Sequence, residues 1–100
     1  SLIGSRIGTM GGFSYMQLIR AAIKAKQKLQ MTYNSKGDRV TTRTVRPLQI
    51  EYWGRVWTLT AWCERKSAFR VFRIDLIQTA EARPEMFVDE VGKRLSDCKN

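Results

Sequence analysis

The sequence predicts a mainly β fold, in which one α-helix precedes about five short strands that form a small antiparallel barrel or a strongly bent sheet. Three observations support this prediction. The chain has 100 residues, which suits one domain. Its first amphipathic segment has a helical period, and the later segments alternate with the period of a strand. Polar and glycine-containing turns separate those later segments at close intervals, as in small β domains.

The predicted helix runs from Ser14 to Lys28. Ser14 is a suitable N-cap, and Gln17 completes a capping box, in which each side chain satisfies a backbone donor of the other residue. Apolar residues at helical spacing predict one buried face, formed by Leu18, Ile19, Ala22 and Ile23.

A β-hairpin is predicted after the helix. Leu29, Met31 and Tyr33 alternate with polar residues, which indicates a strand with one apolar face. Residues 35–38 read Ser-Lys-Gly-Asp, a turn whose glycine can adopt a positive φ. Residues 39–44 are rich in threonine and valine and predict a second strand that pairs back on the first.

Pro47 interrupts this second strand because proline cannot donate to a β-ladder, so it marks an edge, a bulge or a sharp bend. Small barrels need such corners. The remaining predicted elements are a strand at Leu48–Trp53, a turn at Gly54–Arg55, a strand at Val56–Cys63, a turn at Glu64–Ser67, a strand at Phe69–Ile74, a helical turn at Asp75–Ile77 and a last strand at Thr79–Arg83.

One folded domain is expected. Residues 1–13 are interpreted as a linker or expression remnant, residues 14–83 as the domain, and residues 84–100 as a C-terminal tail or short helix. No run of about 18 apolar residues is present, so no membrane span is expected. Cys63 and Cys98 do not make a disulfide framework, which favours a reducing, cytoplasmic compartment.

The chain is strongly basic, since 18 Lys and Arg against nine Asp and Glu give a formal net charge of +9. Such an excess attracts polyanions over long range, so nucleic acid, nucleotides or an anionic membrane surface are candidate partners. The alternative is a basic surface that serves solubility alone.

Catalytic chemistry has little basis in this sequence. The chain contains no histidine, which removes the commonest general base and the commonest metal ligand. Phosphate-binding, dinucleotide-binding and nucleophile-elbow motifs are absent, and the acidic residues are few and scattered. We therefore expect no enzyme activity, no metal and no cofactor.

Aromatic and cationic residues are interleaved between Trp53 and Arg73. Arginine matches a phosphate with its planar fork and can stack on a base, and aromatic side chains on a sheet offer stacking platforms. This composition favours a surface that holds a nucleotide or a single strand, and the alternative is a packed, salt-bridged surface. The interleaved residues are Trp53, Arg55, Trp57, Trp62, Arg65, Lys66, Phe69, Arg70, Phe72 and Arg73.

Strand parity separates core from surface in the same region. Arg70 and Arg73 lie on opposite faces of their strand, so one of them is near the interior or its rim. A partly buried arginine without an anionic partner is costly, so a bound anion or an internal carboxylate such as Asp75 is expected beside it. On the preceding strand the predicted core face consists of Trp57, Leu59, Ala61 and Cys63.

Three ordered motifs resemble the WYL domain family. Residues 45–48 read Val-Arg-Pro-Leu, residues 54–63 read Gly-Arg-Val-Trp-Thr-Leu-Thr-Ala-Trp-Cys, and residues 70–75 read Arg-Val-Phe-Arg-Ile-Asp. The resemblance covers residues 14–83 and implies an SH3-like or Sm-like barrel behind an N-terminal helix. It also implies a ligand surface of basic and polar residues, namely Tyr33, Arg46, Arg65, Arg70 and Arg73.

Two positions depart from the family pattern. Thr58 stands where the namesake motif has tyrosine, on the face that points away from the predicted core. Leu76 stands where an arginine often follows the aspartate. The resemblance therefore implies a site that lacks one aromatic and one cationic side chain.

The resemblance implies a ligand-sensing domain of a bacterial transcriptional regulator, because WYL domains usually follow a winged helix-turn-helix. The expected partner is a single-stranded nucleic acid or nucleotide-like anionic ligand bound through an arginine-rich sheet surface. DNA would be bound by a helix-turn-helix domain outside this chain, no membrane partner is expected, and the domain is compatible with a homodimer. The alternative is a structural or dimerisation module without a ligand, in which Trp53 or Trp62 lies in a protein interface.

Overall fold

The computed structural model describes residues 15–35 and 39–98. These contain one helix and five strands, and the predicted mainly β fold is confirmed. The elements are α1 (Met16–Ala25), β1 (Gln27–Ser35), β2 (Arg39–Tyr52), β3 (Trp57–Cys63), β4 (Ala68–Arg73) and β5 (Ile77–Met86), with short 3₁₀ turns at Ile74–Leu76 and Leu95–Asp97. The strands form one antiparallel sheet in the order β4-β3-β2-β1-β5.

The sheet curls without closing. Within the described residues no ladder joins its edge strands, β4 and β5. Neighbouring strands lie about 4.8 Å apart, so β4 and β1 would be about 14 Å apart in a flat sheet. Instead, the rings of Phe72 on β4 and Tyr33 on β1 meet edge to face with centroids 5.1 Å apart. The Arg73 backbone N–H also donates to the Tyr33 hydroxyl at 3.0 Å. The predicted barrel is therefore an incomplete one with an open side.

Helix α1 ends earlier than the periodicity predicts. Lys26 adopts a left-handed backbone conformation (φ 56°), and its N–H donates to carbonyls of the last helical turn. This cap redirects the chain, so β1 begins at Gln27. The buried side chains of Ile19 and Ala22 hold the helix against the sheet. The predicted N-cap, Ser14, lies outside the described residues.

The predicted β1–β2 hairpin is confirmed, since Leu29 pairs with Val45 and Ser35 with Arg39. The expected break at Pro47 is a bulge rather than an interruption, because β2 continues to Tyr52. The register with β3 shifts between Pro47 and Gln49. Bulges of this kind bend a strand and increase its twist, which helps β2 to follow the curl.

The core lies on the concave face of the sheet, beneath α1. Leu59, Ala61 and Cys63 are completely buried, and Trp57 packs against them, which confirms the predicted core face of β3. Thr58 and Thr60 on the other face are buried as well. The Thr58 hydroxyl accepts a hydrogen bond from the Trp53 indole at 2.9 Å. The outer face of β3 is thus covered to an extent that parity does not predict.

Strand β5 is longer than predicted, since it extends from Ile77 to Met86 rather than from Thr79 to Arg83. Pro84 lies inside it, although it was expected to end it. An edge strand tolerates proline because one side of its backbone has no partner strand. The chain beyond β5 then returns over the sheet, and Phe87 is buried.

Candidate anion-binding site

Two arginines lie on the concave face near the β1–β2 hairpin. Arg43 on β2 pairs with buried Met31, and Arg70 on β4 pairs with buried Ala61. Side chains of directly paired residues project from the same face of a sheet. The register therefore places both arginines on the face that forms the core, at its open end.

Arg43 is half-buried, and its contacts with the described residues are with neutral groups. Its guanidinium carbon lies 5.9 Å from the centroid of the Phe72 ring. Its Nε donates to the Thr41 hydroxyl at 3.2 Å, and one terminal nitrogen lies 3.7 Å from the Cys63 sulfur. It forms no ion pair with a described carboxylate. Partial burial of an unpaired charge is unfavourable, so this position suits a bound anion.

Arg70 is exposed and lies two residues before Phe72 on the same face of β4. Like Arg43, it has no ion pair among the described residues. Of the two arginines that parity placed on opposite faces, Arg70 is the one at the rim. Arg43 and Arg70 thus border the Phe72 ring from two different strands.

Tyr33 borders this site through its contact with Phe72. Arg73 pairs with Thr58, so its side chain projects from the opposite face of β4, and it already has an anionic partner. The Arg73 guanidinium makes two hydrogen bonds with Asp75, at 3.1 and 2.7 Å. The hydrogen bonds that Arg73 donates to Asp75, together with the charge of that carboxylate, raise the pKa of Arg73. The internal carboxylate that we predicted beside one of these arginines is therefore Asp75, and it pairs with Arg73. Among the described residues, Arg43 and Arg70 have no such carboxylate partner.

Two predicted ligand residues lie apart from this site. Arg65 is exposed in the turn between β3 and β4. Arg46 pairs with Trp62, so it projects from the outer face. Only 11% of its side chain is exposed, and it contacts Glu64 at 2.6 Å and Glu90 at 3.0 Å. Burial alone would lower the pKa of Arg46, but the hydrogen bonds to Glu64 and Glu90 outweigh it and raise the pKa.

Glu64 couples this outer-face network to pH. Burial would raise the pKa of Glu64, but hydrogen bonds from Arg46 and Lys28 outweigh it and hold the pKa below its ordinary value of 4.5. A carboxyl whose pKa is lowered by folding stabilises the folded state above its ordinary pKa, and this contribution disappears as pH falls through the lowered value.

We therefore expect Glu64→Gln to reduce the free energy of unfolding by about 1–2 kcal/mol at pH 7, because it leaves Arg46 and Lys28 with weaker partners. The difference from the wild type should shrink below pH 4.5. Urea unfolding at pH 7 and pH 3 measures it, with Glu81→Gln as an exposed control. A loss of the same size at both pH values would contradict the assignment.

The cations without an ion pair among the described residues all precede β5 in the chain. The described carboxylates after β4 are all paired, and they lie in the 3₁₀ turn, β5 and the chain that follows. Described cations without an ion pair lie in α1, β2, the turns and β4: Arg20, Lys24, Arg39, Arg43, Arg55, Arg65, Lys66 and Arg70. This distribution favours approach of a polyanion towards β2 and β4.

Arg43 was not among the predicted site residues. A signal for it exists in the sequence, because Arg43 precedes Val45 by two positions and so shares its face of β2. Val45 is fully buried. Extending the parity of that core residue back along the strand would have placed Arg43 on the concave face.

The chain belongs to the WYL domain family, whose sequence model matches residues 14–82. Among solved structures it is similar to proteasome accessory factor B/C (PafBC) of Arthrobacter aurescens, with 28% sequence identity and a TM-score of 0.71. The similarity covers 76% of this chain and 12% of that chain. A comparison with curated proteins found no match.

The described part of the chain lacks two further kinds of feature. No helix there is long and apolar enough to cross a membrane. No group of three or more His, Cys, Asp or Glu side chains there is arranged to hold a metal ion.

Proposed function

We propose that this WYL domain is the ligand-sensing domain of a bacterial transcriptional regulator and that it binds a single-stranded nucleic acid or nucleotide-like anion at its concave site. The observation that carries the proposal is Arg43, which is half-buried over the Phe72 ring and forms no ion pair with a carboxylate of residues 15–35 or 39–98. A phosphate group supplies the missing charge and matches the guanidinium fork.

The position of the site suggests how a ligand is sensed. Arg43 lies on β2 and Arg70 on the edge strand β4, and neither forms an ion pair with a carboxylate in the described part of the chain. A phosphate between them would relieve their repulsion and hold β4 against the hairpin. Binding would thus stabilise the curled form of the open sheet by linkage. A DNA-binding domain elsewhere in the regulator would respond to that change.

Binding of a fluorescein-labelled oligothymidine, followed by anisotropy at 50 and 200 mM salt, tests the proposal. If about three phosphates are neutralised, affinity should fall about 20-fold between these conditions. An uncharged oligonucleotide analogue of the same length is the matched control and should not bind. Absence of binding to DNA, RNA and nucleotides at the lower salt concentration would overturn the proposal.

The alternative, a dimerisation module, is favoured by two exposed apolar side chains on the outer face. Trp53 is 64% exposed and Val71 is 59% exposed. Trp53 donates to Thr58, and Val71 pairs with Thr60, so both residues flank β3. Sedimentation equilibrium tests this function. A stable dimer that Trp53→Ser dissociates, together with no oligonucleotide binding, would support it over the ligand-sensing function.

A further inference from the structure

The outer face of the sheet carries a second group of aromatic and cationic side chains. Arg46 on β2 pairs with Trp62 on β3, and Trp62 pairs with Phe69 on β4, so the three form one row across the sheet. The rings of Trp62 and Phe69 meet edge to face with centroids 5.1 Å apart. This outer row combines a guanidinium with neighbouring aromatic rings, the composition that binds single strands.

The row continues towards β1. A groove of about 370 Å³ lies beside it and is lined by Lys28, Gln30, Thr44 and Glu64, with Arg83 and Glu85. Lys28 reaches the same carboxylate as Arg46, since it lies 3.2 Å from Glu64. An extended ligand on the outer row therefore has room and a further cation along its path.

The segment of residues 87–98 lies over this row in the present structure. Its first residue is anchored, because the Phe87 side chain is buried and its N–H donates to the Lys26 carbonyl at 2.8 Å. Asp89 then contacts the Lys26 ammonium at 2.7 Å. These contacts direct the chain from the end of β5 towards Arg46 and Trp62.

Two residues of the segment occupy the positions that a nucleotide would use. The Glu90 carboxylate contacts the Arg46 guanidinium at 3.0 Å, where a phosphate would bind. The Lys93 ammonium lies 5.5 Å from the centroid of the Trp62 ring, so it covers a face on which a base would stack. Lys93 and Glu90 also contact each other at 3.1 Å, which makes them one unit.

We propose that the outer row of Arg46, Trp62 and Phe69 is a second binding site for single-stranded nucleic acid, with the segment 87–98 as its intramolecular competitor. This site is distinct from the concave site, because it lies on the opposite face of the sheet. Glu90 takes the place of a phosphate, and Lys93 takes the place of a base.

The segment is held weakly enough to be displaced. The two carboxylates that attach it to the rest of the domain are exposed, with 62% of the Asp89 side chain and 46% of the Glu90 side chain accessible. Exposed pairs of this kind contribute little to stability. Val88 and Val91 are 73% and 79% exposed, so they add little apolar burial. A strand with several phosphates offers more charge contacts than this segment does.

The test measures oligothymidine binding by anisotropy in a protein whose concave site has been removed by Arg43→Ala and Arg70→Ala. Adding Glu90→Gln to this background should tighten binding about 5-fold, since it removes one of the two carboxylates that contact Arg46 and releases Lys93. Glu81→Gln is the matched control, because it removes the same charge from a carboxylate 71% exposed and 3.9 Å from Arg83. It should change binding less than about 2-fold.

A further variant shows whether the tighter oligothymidine binding depends on the outer row. Trp62→Leu, added to the Glu90→Gln protein, should abolish the gain, and circular dichroism confirms that the variant is folded. Equal effects of Glu90→Gln and Glu81→Gln would overturn the second site, as would a gain that survives Trp62→Leu. If the concave site does not bind oligothymidine, the result is different, because Arg43→Ala and Arg70→Ala would then leave the wild-type affinity unchanged.

Discussion

Replacing both Arg43 and Arg70 with alanine should weaken oligothymidine binding about 100-fold at low salt, because each removes a charge-assisted hydrogen bond to phosphate. We expect most of this loss to come from Arg43, since it is half-buried over Phe72 and no described carboxylate pairs with it. Titration by anisotropy at 50 mM salt measures the loss.

The matched control removes the same charge elsewhere. Lys24 and Arg55 are exposed and form no ion pair with a described carboxylate. Their joint replacement by alanine should weaken binding less than about 5-fold, through the general field alone. Similar losses in the two double variants would mean that binding follows net charge and has no defined site.

Phe72→Ala should be among the most destabilising substitutions on β4 and cost about 3–5 kcal/mol of unfolding free energy. Phe72 is 3% exposed, and its ring contacts Tyr33 across the concave face. Its loss removes core packing and a contact that holds the curl. Urea unfolding, monitored by far-ultraviolet circular dichroism, measures the change.

Val71 provides the comparison within the same strand. It is 59% exposed, and Val71→Ala should cost no more than about 0.5 kcal/mol. Phe72→Leu retains apolar volume and should cost about 1.5 kcal/mol, which keeps the measurement possible if Phe72→Ala does not fold. Equal costs at positions 71 and 72 would contradict the assignment of the concave face as the core.

Local signals predict most of the fold. Alternation identifies the core face of β3, and the Gly54 turn follows from its glycine, whose φ is 90°. Pro47 marks the bulge in β2 correctly, although the strand does not stop there. The end of α1 is less predictable, because Lys26 adopts a left-handed conformation that its sequence does not favour.

The candidate site is less predictable because it depends on non-local pairings, including ion pairs that occupy arginines outside it. Arg46 is separated by 44 positions from Glu90, and no local pattern indicates that this carboxylate reaches it. Contact between Phe72 and Tyr33 likewise depends on the curl of the whole sheet. Sequence composition identifies the class of residue in the site, and the tertiary fold decides which arginines remain unpaired.

The structure also shows where Thr58, which replaces the tyrosine of the family motif, lies in the sheet. Thr58 is 8% exposed on the outer face of β3 and is hydrogen-bonded to Trp53. The prediction that this position points away from the core is confirmed. The concave site of this domain therefore does not include the altered position of the family motif, and its ligand contacts are expected from the arginines.

The most direct test of the concave site is a map of ligand-induced NMR shifts on the ¹⁵N-labelled domain titrated with oligothymidine. We predict that the resonances of the Arg43 side-chain Nε–H and of the backbone amides of Arg70, Phe72 and Arg73 shift most. Their titration curves should give one common affinity. Shifts confined to the exposed face of α1, around Arg20 and Lys24, would contradict it.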